Sequence, residues 1–183
     1  MYVENAQGAK KPLYVQVDVC TKLVTGVAMK NKTEEECKSA ILAVQTDYST
    51  RGREIKTLTF DREPSVVPLE NQLKEHGIEL ILKATSQKVG LAEVNIRIIR
   101  VKARSTKAGV RDKFGYLPPN QFNMDLCLDC VQVMNRLPKT GQEKSPYEIF
   151  TGKQVDYLRD FTCEKAKAAC CRFDCYWRMG SGS

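Results

Sequence analysis

The stretch that decides the fold runs from residue 84 to residue 105 and reads ATSQKVGLAEVNIRIIRVKARS. It begins with small and polar residues, turns at Gly90 and continues with the periodicity of a helix, called here the arginine helix. At helical spacing one stripe carries an acid followed by three arginines: Glu93, Arg97, Arg100 and Arg104. A separate apolar stripe, Val94, Ile98 and Val101, predicts a face buried against a sheet. The charged stripe is either a solvated helix face or a surface that binds phosphates.

The positive charge of the chain is concentrated on this helix and on the residues that follow it. The formal net charge is +7 at pH 7. From Lys83 to Lys113 there are nine basic and two acidic side chains, which leaves twenty of each in the rest of the chain. The whole excess of charge therefore lies in this one segment, which favours a contact with nucleic-acid phosphates.

Length and composition predict one domain with a packed core, since 42% of the 183 residues are hydrophobic and 28% are charged. No stretch approaches the ~18–20 apolar residues of a membrane helix, and the first residues lack an apolar signal segment. We therefore expect a protein that is not secreted, whose eight cysteines are thiols. Cys127 and Cys130 form a CxxC pair, for which core thiols are favoured over a zinc or redox site.

The predicted elements alternate as strands, helix, strand, helix, strand and then helices, which indicates an α/β fold with helices on the faces of a sheet. Met1-Tyr2-Val3 has the pattern of the end of an earlier strand. The elements predicted before the arginine helix are strands over 13–19 and 23–29, a helix over 33–48 with Thr33 as N-cap, a strand over 55–60, a helix ending at His76-Gly77 and a strand over 78–82.

After the arginine helix, residues 109–119 are predicted to form a basic loop and residues 120–137 a further helix. The residues of that helix expected to face the core are Phe122, Leu126, Val133 and Leu137. Ser145 and Pro146 then open a short helical turn, with proline at its first position.

Two acids lie where an α/β sheet usually binds ligands. Asp61 ends a predicted strand, and Glu93 opens the arginine helix, with two predicted elements between them. Carboxylates at such a place can hold a divalent ion that activates a water or hydroxyl and stabilises the displacement of a phosphoryl group. Hard oxygen ligands suit Mg²⁺ or Mn²⁺ better than zinc. We therefore predict Asp61 and Glu93 as catalytic metal ligands.

Several blocks of the chain resemble the catalytic core of retroviral and copia-type retrotransposon integrases. They are TFDRE at 59–63, QLKEHGI at 72–78, VGLAE at 89–93 with Arg97, and ARS at 103–105. SPYEIFTG at 145–152 and YLRDF at 157–161 resemble the segment that follows this core in copia-type polyproteins. The resemblance covers residues 1–161. It leaves residues 162–183, a cysteine-rich tail with a flexible Gly/Ser end, outside the predicted domain.

The resemblance implies an RNase-H-like mixed sheet flanked by helices, a DDE metal triad, and DNA 3′-end processing and strand transfer. Carried over by position, Asp61 is the second acid and Glu93 the third. The predicted phosphate contacts, which position DNA without reading its sequence, are Lys88, Arg97, Arg100 and Arg104. The implied partners are the DNA of element ends and target and a second copy in a homodimer, with no membrane and no small-molecule substrate. The resemblance also implies that the domain is part of a Pol polyprotein and acts in the nucleus, after import from the cytoplasm.

The first acid of the triad has one candidate within the chain, Asp18, which is kept as a candidate metal ligand. The strand pair around it resembles the second and third strands of the family, which places Asp18 roughly 10 Å to the side of the Asp61 strand. Met1-Tyr2-Val3 would then end the first strand, with the acid just upstream, so the chain is expected to be a fragment. In addition, Asp61-Arg62-Glu63 replaces the usual Asp-Asn-Gly, and Glu63 is favoured as a solvated acid over an accessory ligand.

Two other functions remain open at this point. One is a non-catalytic remnant that keeps the fold and binds DNA or a protein partner. The other is an RNase-H-like nuclease without strand transfer, because hydrolysis uses the same metal chemistry.

Overall fold

The computed structural model describes residues 1–4, 8–83 and 90–157. Its elements are β1 (Tyr2–Glu4), β2 (Lys10–Val17), β3 (Val24–Ala28), α1 (Glu34–Ser49), β4 (Thr57–Asp61), α2 (Leu69–Glu75), β5 (Glu79–Lys83), α3 (Gly90–Phe114), α4 (Asn123–Arg136) and α5 (Pro146–Thr151). This is the predicted α/β order. The chain divides into two compact units, one from Met1 to Asn135 and one from Arg136 onward.

The strands of the first unit form two small sheets. β1, β2 and β3 make an antiparallel sheet in that order, and β4 pairs with β5 in parallel. Met1 extends the β1–β2 ladder, because the Leu13 N–H donates to the Met1 carbonyl at 2.6 Å and the Met1 ammonium donates to the Leu13 carbonyl at 2.9 Å. Met1–Val3 therefore pairs with the Leu13 strand. Among the described residues no ladder joins β1 to β4.

Helices cover both faces of the antiparallel sheet, because successive residues of β2 point to opposite sides. Leu13 is fully buried in a cluster with Val24, Ile99 of α3 and Val131 of α4. Tyr14 is buried on the other side, where α1 approaches, and burial raises the pKa of its phenol above its ordinary value. The sheet is thus sandwiched between α3 and α4 on one face and α1 on the other.

The N-terminus of α1 differs in detail from the prediction. Thr33 occupies the N-cap position, but its hydroxyl donates to Asn31 Oδ1 at 2.7 Å and accepts no hydrogen bond from the helix. Three acids in the first turn, Glu34–Glu36, suit the positive end of the helix dipole. The helix start is therefore favoured by charge and not by a hydroxyl cap.

The buried face of α3 differs from the predicted one. Val94 and Val101 are 43% and 54% exposed, whereas Ile99 is fully buried. Asn95 is also buried, and its amide donates to the Leu91 carbonyl at 2.8 Å, which removes most of the cost of burying a polar group. The helix also runs on through Gly109 to Phe114, where a loop was predicted, since one glycine costs a helix only about 1 kcal/mol.

The core face of α4 was also assigned wrongly. Val133 and Leu137 are exposed, and the residues of α4 that are buried are Cys127, Cys130, Val131 and Met134. Two hydrogen bonds between the Asn135 side chain and the Val24 backbone fix this orientation. The amide oxygen accepts from the Val24 N–H at 2.9 Å, and the NH₂ group donates to the Val24 carbonyl at 2.7 Å. The prediction that Cys127 and Cys130 are core thiols is confirmed.

Alkylation at pH 8, followed residue by residue by mass spectrometry, is expected to modify exposed Cys20 at least about tenfold faster than Cys127 or Cys130. Burial raises the pKa of Cys127 to about 11 and also raises that of Cys130, so little reactive thiolate exists at pH 8. The fraction of Cys127 thiolate grows only as the pH rises toward 11. In strong denaturant the three rates should converge; equal rates in the native protein would contradict this core.

The second unit begins at Arg136 and contains α5, the short helix predicted after Ser145, and the N-terminus of α5 is a capping box. The Glu148 N–H donates to the Ser145 hydroxyl at 3.2 Å, and the Ser145 N–H donates to the Glu148 carboxylate at 2.8 Å. The bonds that the Glu148 carboxylate accepts from the Ser145 and Val155 N–H groups lower its pKa. The predicted domain end at residue 161 lies outside the described residues. None of the helices described is long and apolar enough to cross a membrane.

Candidate metal and nucleic-acid site

Asp61 is the last residue of β4 and lies at the carboxyl end of the parallel pair, opposite Lys83 of β5. The chain turns immediately after it, since the Glu63 N–H donates to the Asp61 carbonyl at 2.7 Å. The side chain is exposed, and within the described residues its carboxylate makes neither a hydrogen bond nor an ion pair. Asp61 is therefore free to bind a cation at the end of a strand, where ligands of α/β sheets commonly sit.

Glu93 lies in the first turn of α3 and is likewise exposed. No hydrogen bond or ion pair engages its carboxylate in the part of the chain that the structure describes. Its neighbours Leu91 and Ala92 line the same cavity as Asp61, while Glu93 itself is not among the described residues that line it. The fold thus brings the start of α3 to the end of β4.

The two carboxylates fit a divalent cation by donor type. Mg²⁺ prefers oxygen ligands and is often bound through one or two carboxylates, with water and substrate phosphate completing the shell. Asp61 and Glu93 offer hard oxygens that no described basic group neutralises, which suits Mg²⁺ or Mn²⁺ better than zinc. Within residues 1–4, 8–83 and 90–157, no three His, Cys, Asp or Glu side chains form a metal-binding group.

Both oxygens of the Asp18 carboxylate accept hydrogen bonds within the turn between β2 and β3. One oxygen accepts from the Cys20 N–H and the other from the Thr21 hydroxyl, both at 2.8 Å. Lys22 in the same turn has φ +61°, a left-handed conformation that such side-chain bonds help to hold. Asp18 lines the same cavity as Asp61, yet both of its oxygens already have partners. Its role as a metal ligand stays a prediction.

Glu63, two residues after Asp61, forms an ion pair with Lys32. The Lys32 ammonium also lies 5.9 Å from the centre of the Tyr2 ring. Glu63 therefore has a partner of opposite charge already, in contrast to Asp61.

The arginines of α3 form the exposed stripe that the spacing predicted. Arg97, Arg100 and Arg104 are all exposed, and none makes a hydrogen bond or ion pair to the described residues. Other bases of the segment are engaged: the Lys107 ammonium donates to Asn123 Oδ1 at 2.9 Å, and Arg111 pairs with Asp112 at 3.2 Å. The three arginines are thus available to an external anion. Lys88 lies outside the described residues.

No pattern in the sequence predicted the cavity that Asp61 lines. It has a volume of about 780 Å³ and lies between β2 and β4. Tyr14 and Phe60 stack across it, with ring centres 6.0 Å apart. Tyr14 and Phe60 are distant in sequence, and each lies in an ordinary strand pattern. No local pattern could therefore have revealed the contact between their rings.

Comparisons with known proteins agree with this geometry at the level of fold. No protein-family model matches the sequence, and no curated protein matches it significantly. The HTLV-2 integrase catalytic core domain in complex with magnesium is similar in its trimeric form (18% identity, TM-score 0.60, 82% of this chain and 90% of that one) and in its dimeric form (16%, 0.57, 84% and 91%).

A chain of the simian T-cell lymphotropic virus intasome in complex with PP2A regulatory subunit B56 gamma is also similar, with 16% identity and a TM-score of 0.66 over 85% of this chain. The match spans 53% of that longer chain, about half of its length. The fold of the chain is therefore that of an RNase-H-like α/β domain. Its fold is that of retroviral integrase catalytic cores, which confirms the fold predicted from the sequence blocks.

Proposed function

We propose that the chain is an integrase catalytic-core-like domain that binds DNA and takes part in DNA integration. The observation that carries this proposal is the stripe of three exposed arginines on α3, which starts one turn beyond Glu93 and has no hydrogen-bond or ion-pair partner among the described residues. An unpaired guanidinium is a strong phosphate ligand, because its planar donors can bond two oxygens at once. The fold supports the proposal, since domains of this fold include the HTLV-2 integrase core.

The arginines would position DNA, and the acids would carry the chemistry. Arg97 and Arg104 are two turns apart, about 10 Å along the helix axis, so the stripe can follow a phosphate backbone. Such contacts fix the register of the DNA without reading its bases. The end of the stripe nearest Glu93 would bring a phosphodiester toward the two free carboxylates.

Asp61 and Glu93 are the residues that would hold Mg²⁺ or Mn²⁺. A bound ion supplies Lewis acidity and lowers the pKa of a water or 3′-hydroxyl, as 3′-end processing and strand transfer require. The two side chains contribute negative charge and carboxylate oxygens, Asp61 from the end of β4 and Glu93 from the first turn of α3. The magnesium complex described for the HTLV-2 core supports the choice of ion.

The partners proposed for the domain are DNA and a second copy of the chain. The HTLV-2 core is described in dimeric and trimeric forms, which supports self-association without fixing its order here. Origin in a retrotransposon Pol polyprotein and action in the nucleus belong to the same proposal, since integration takes place on chromosomal DNA.

A second candidate is a DNA-binding domain of the same fold without catalysis. One observation favours it: the described residues supply two free carboxylates at this site and no third. Both candidates require that the arginine stripe bind DNA, and they differ in whether DNA is cut.

Replacing Arg97, Arg100 and Arg104 together by glutamine is expected to weaken DNA binding by about one to two orders of magnitude near 0.1 M salt. Each phosphate contact contributes about 0.9 to the slope of log affinity against log salt, so the slope should fall by about 3. Fluorescence anisotropy with a labelled duplex over a salt series measures both quantities.

The matched control for this experiment removes the same charge elsewhere. Lys11 on β2, Lys74 on α2 and Lys30 between β3 and α1 are exposed, and their combined replacement by glutamine should change the slope by less than one contact. Equal effects of the two triple variants would mean that binding follows net charge and not the stripe.

A further inference from the structure

Three large apolar side chains lie exposed within four residues at the end of α3. Phe114, Tyr116 and Leu117 are 48%, 39% and 58% exposed. The rings of Phe114 and Tyr116 lie against each other, with their centres 6.3 Å apart and their planes tilted by 41°. Single exposed apolar residues are common on protein surfaces, but a contiguous group is typical of an interaction site. The Phe114–Tyr116 pair is called here the aromatic platform.

The local backbone holds the aromatic platform in place. Gly115 ends α3, because its N–H donates to the Arg111 carbonyl at 2.8 Å and its φ of +75° is the left-handed conformation that glycine adopts without strain. The turn at Gly115 brings the ring that follows it back beside the ring that precedes it. The next segment is attached to α3, since the Lys107 ammonium donates to Asn120 Oδ1 at 3.0 Å. The two rings are therefore positioned before anything binds.

The aromatic platform lies at the far end of the arginine stripe. Arg111 is eighteen residues, about five full turns, beyond Glu93 and so lies on the same line of the helix. Phe114 follows three residues later and is a neighbour of Arg111 on the helix surface. From Arg97 to the platform the surface extends about 25 Å along the axis, at 1.5 Å per residue. One continuous surface therefore carries the arginines and ends in two aromatic rings.

The charge around the platform favours an anionic occupant. The Lys113 ammonium lies 5.3 Å from the centre of the Phe114 ring. Arg111 pairs with Asp112, but both side chains are more than half exposed, and so weak a pair lets a phosphate replace the carboxylate. Asp112 is the one acid in residues 94–124 of the sequence. A second copy that met the platform with the same surface would bring like charges together. The surroundings therefore select a flat apolar face that carries negative charge beside it.

We propose that the aromatic platform stacks on an unpaired base of DNA whose phosphates lie along the arginine stripe. A nucleotide has the required combination, since its planar base is attached to a phosphate. Inside a continuous duplex each base face is covered by its neighbours, so an unpaired base is the one free to stack on a protein ring. A basic surface that ends in aromatic rings is the arrangement by which proteins bind single strands. The inference rests on the proposed function, because it names the form of DNA that the same surface binds.

Fluorescence anisotropy with two labelled single strands tests this proposal. One strand is a short oligodeoxythymidine, and the other is an abasic strand of the same length, which keeps the phosphates but lacks the bases. Phe114→Leu is expected to weaken binding of the oligodeoxythymidine about tenfold and binding of the abasic strand by less than about twofold. The slope of log affinity against log salt should stay the same for both strands, because no charge is removed.

Two further variants serve as controls. Phe114→Tyr keeps an aromatic face and should bind the oligodeoxythymidine nearly as well as the unsubstituted chain. Tyr2→Leu removes an aromatic ring that is 51% exposed and has the Lys32 ammonium 5.9 Å from its centre, but that lies on β1 and not on α3. Its replacement should leave both affinities unchanged. Circular dichroism should show all three variants folded, since each replaced ring is about half exposed.

Each alternative predicts a different result. Equal weakening of both strands by Phe114→Leu would overturn stacking, because the abasic strand has no base to stack. An effect on neither strand, while the triple arginine variant weakens both, would overturn the platform and leave the proposed function intact. Loss of self-association in sedimentation of DNA-free Phe114→Leu, with strand binding unchanged, would show a contact between copies instead. An unsubstituted chain that binds no DNA at all would contradict the proposed function and this inference with it.

Discussion

Glu93→Gln is expected to reduce Mg²⁺-dependent cleavage of a DNA duplex by about a hundredfold or more, and Asp61→Asn by a similar factor. Each change removes the negative charge of a proposed cation ligand while keeping the shape of the side chain. Losing even a residue that only supports a metal ligand typically costs about 10–100-fold, so losing the ligand should cost at least as much. DNA affinity in the absence of metal should change little, because the phosphate contacts lie on the arginine stripe.

The assay is a nicking and strand-transfer experiment on labelled duplex DNA with and without Mg²⁺. Glu79→Gln is the matched control, since Glu79 is an exposed acid at the other end of the parallel strand pair. If Glu93→Gln cuts as fast as the unsubstituted chain, the site assignment is wrong. If the unsubstituted chain binds DNA but does not cut it, the non-catalytic candidate is the correct one.

Asp18→Asn belongs to the same experiment as a separate test. An asparagine can still accept from the Cys20 N–H, so the turn between β2 and β3 should survive the change. Retained cleavage would assign Asp18 to the turn alone. Lost cleavage with unchanged thermal unfolding would make it a metal ligand.

Ile99→Ala is expected to lower the free energy of unfolding by about 2–5 kcal/mol, a large part of the stability of a domain this size. Ile99 is fully buried and packs in the cluster that joins α3 to the antiparallel sheet and α4. Removing most of the Ile99 side chain leaves a cavity, because α3, α4 and the sheet are held by their other contacts and cannot move together to fill it. Urea denaturation followed by circular dichroism measures the effect, with the slope m expected to stay constant.

Val101→Ala is the control for this prediction. Val101 lies on the same helix but is 54% exposed, and its replacement should change stability by less than about 0.5 kcal/mol. The comparison decides whether α3 buries the face with Ile99 or the face with Val101. A large loss for Val101→Ala and a small one for Ile99→Ala would restore the face predicted from the sequence and reject the packing described above.

Local patterns in the sequence were sufficient for the order of the elements and for the positions of the charged residues. Strand alternation predicted β2 and β3, and a terminal acid marked the end of β4 at Asp61. The short helix after Ser145 was predicted from Pro146 at its first position, which is a local preference. The arginine stripe follows from helical spacing alone, because residues four and seven positions apart share a face in any α-helix.

Which face of each helix turned inward depended on tertiary contacts. In α3 the adjacent residues Ile98 and Ile99 permit two apolar faces, and contact with Leu13 and Val24 selected the one with Ile99. In α4 the two hydrogen bonds between Asn135 and the Val24 backbone selected the face with Cys127 and Cys130 as the buried one. Apolar residues lie on several sides of these helices, so periodicity alone could not decide.

The sequence by itself therefore determined the α/β order, the exposed arginine stripe and the two acids at an element end, because each depends on neighbours within one or two turns. The tertiary structure alone decided that Ile99 faces the core, that the start of α3 comes to the end of β4, and that a cavity lies between β2 and β4. Those features depend on residues far apart in the sequence being brought together. Hydrophobic burial and backbone pairing across the sheet achieve this, and no local pattern encodes it.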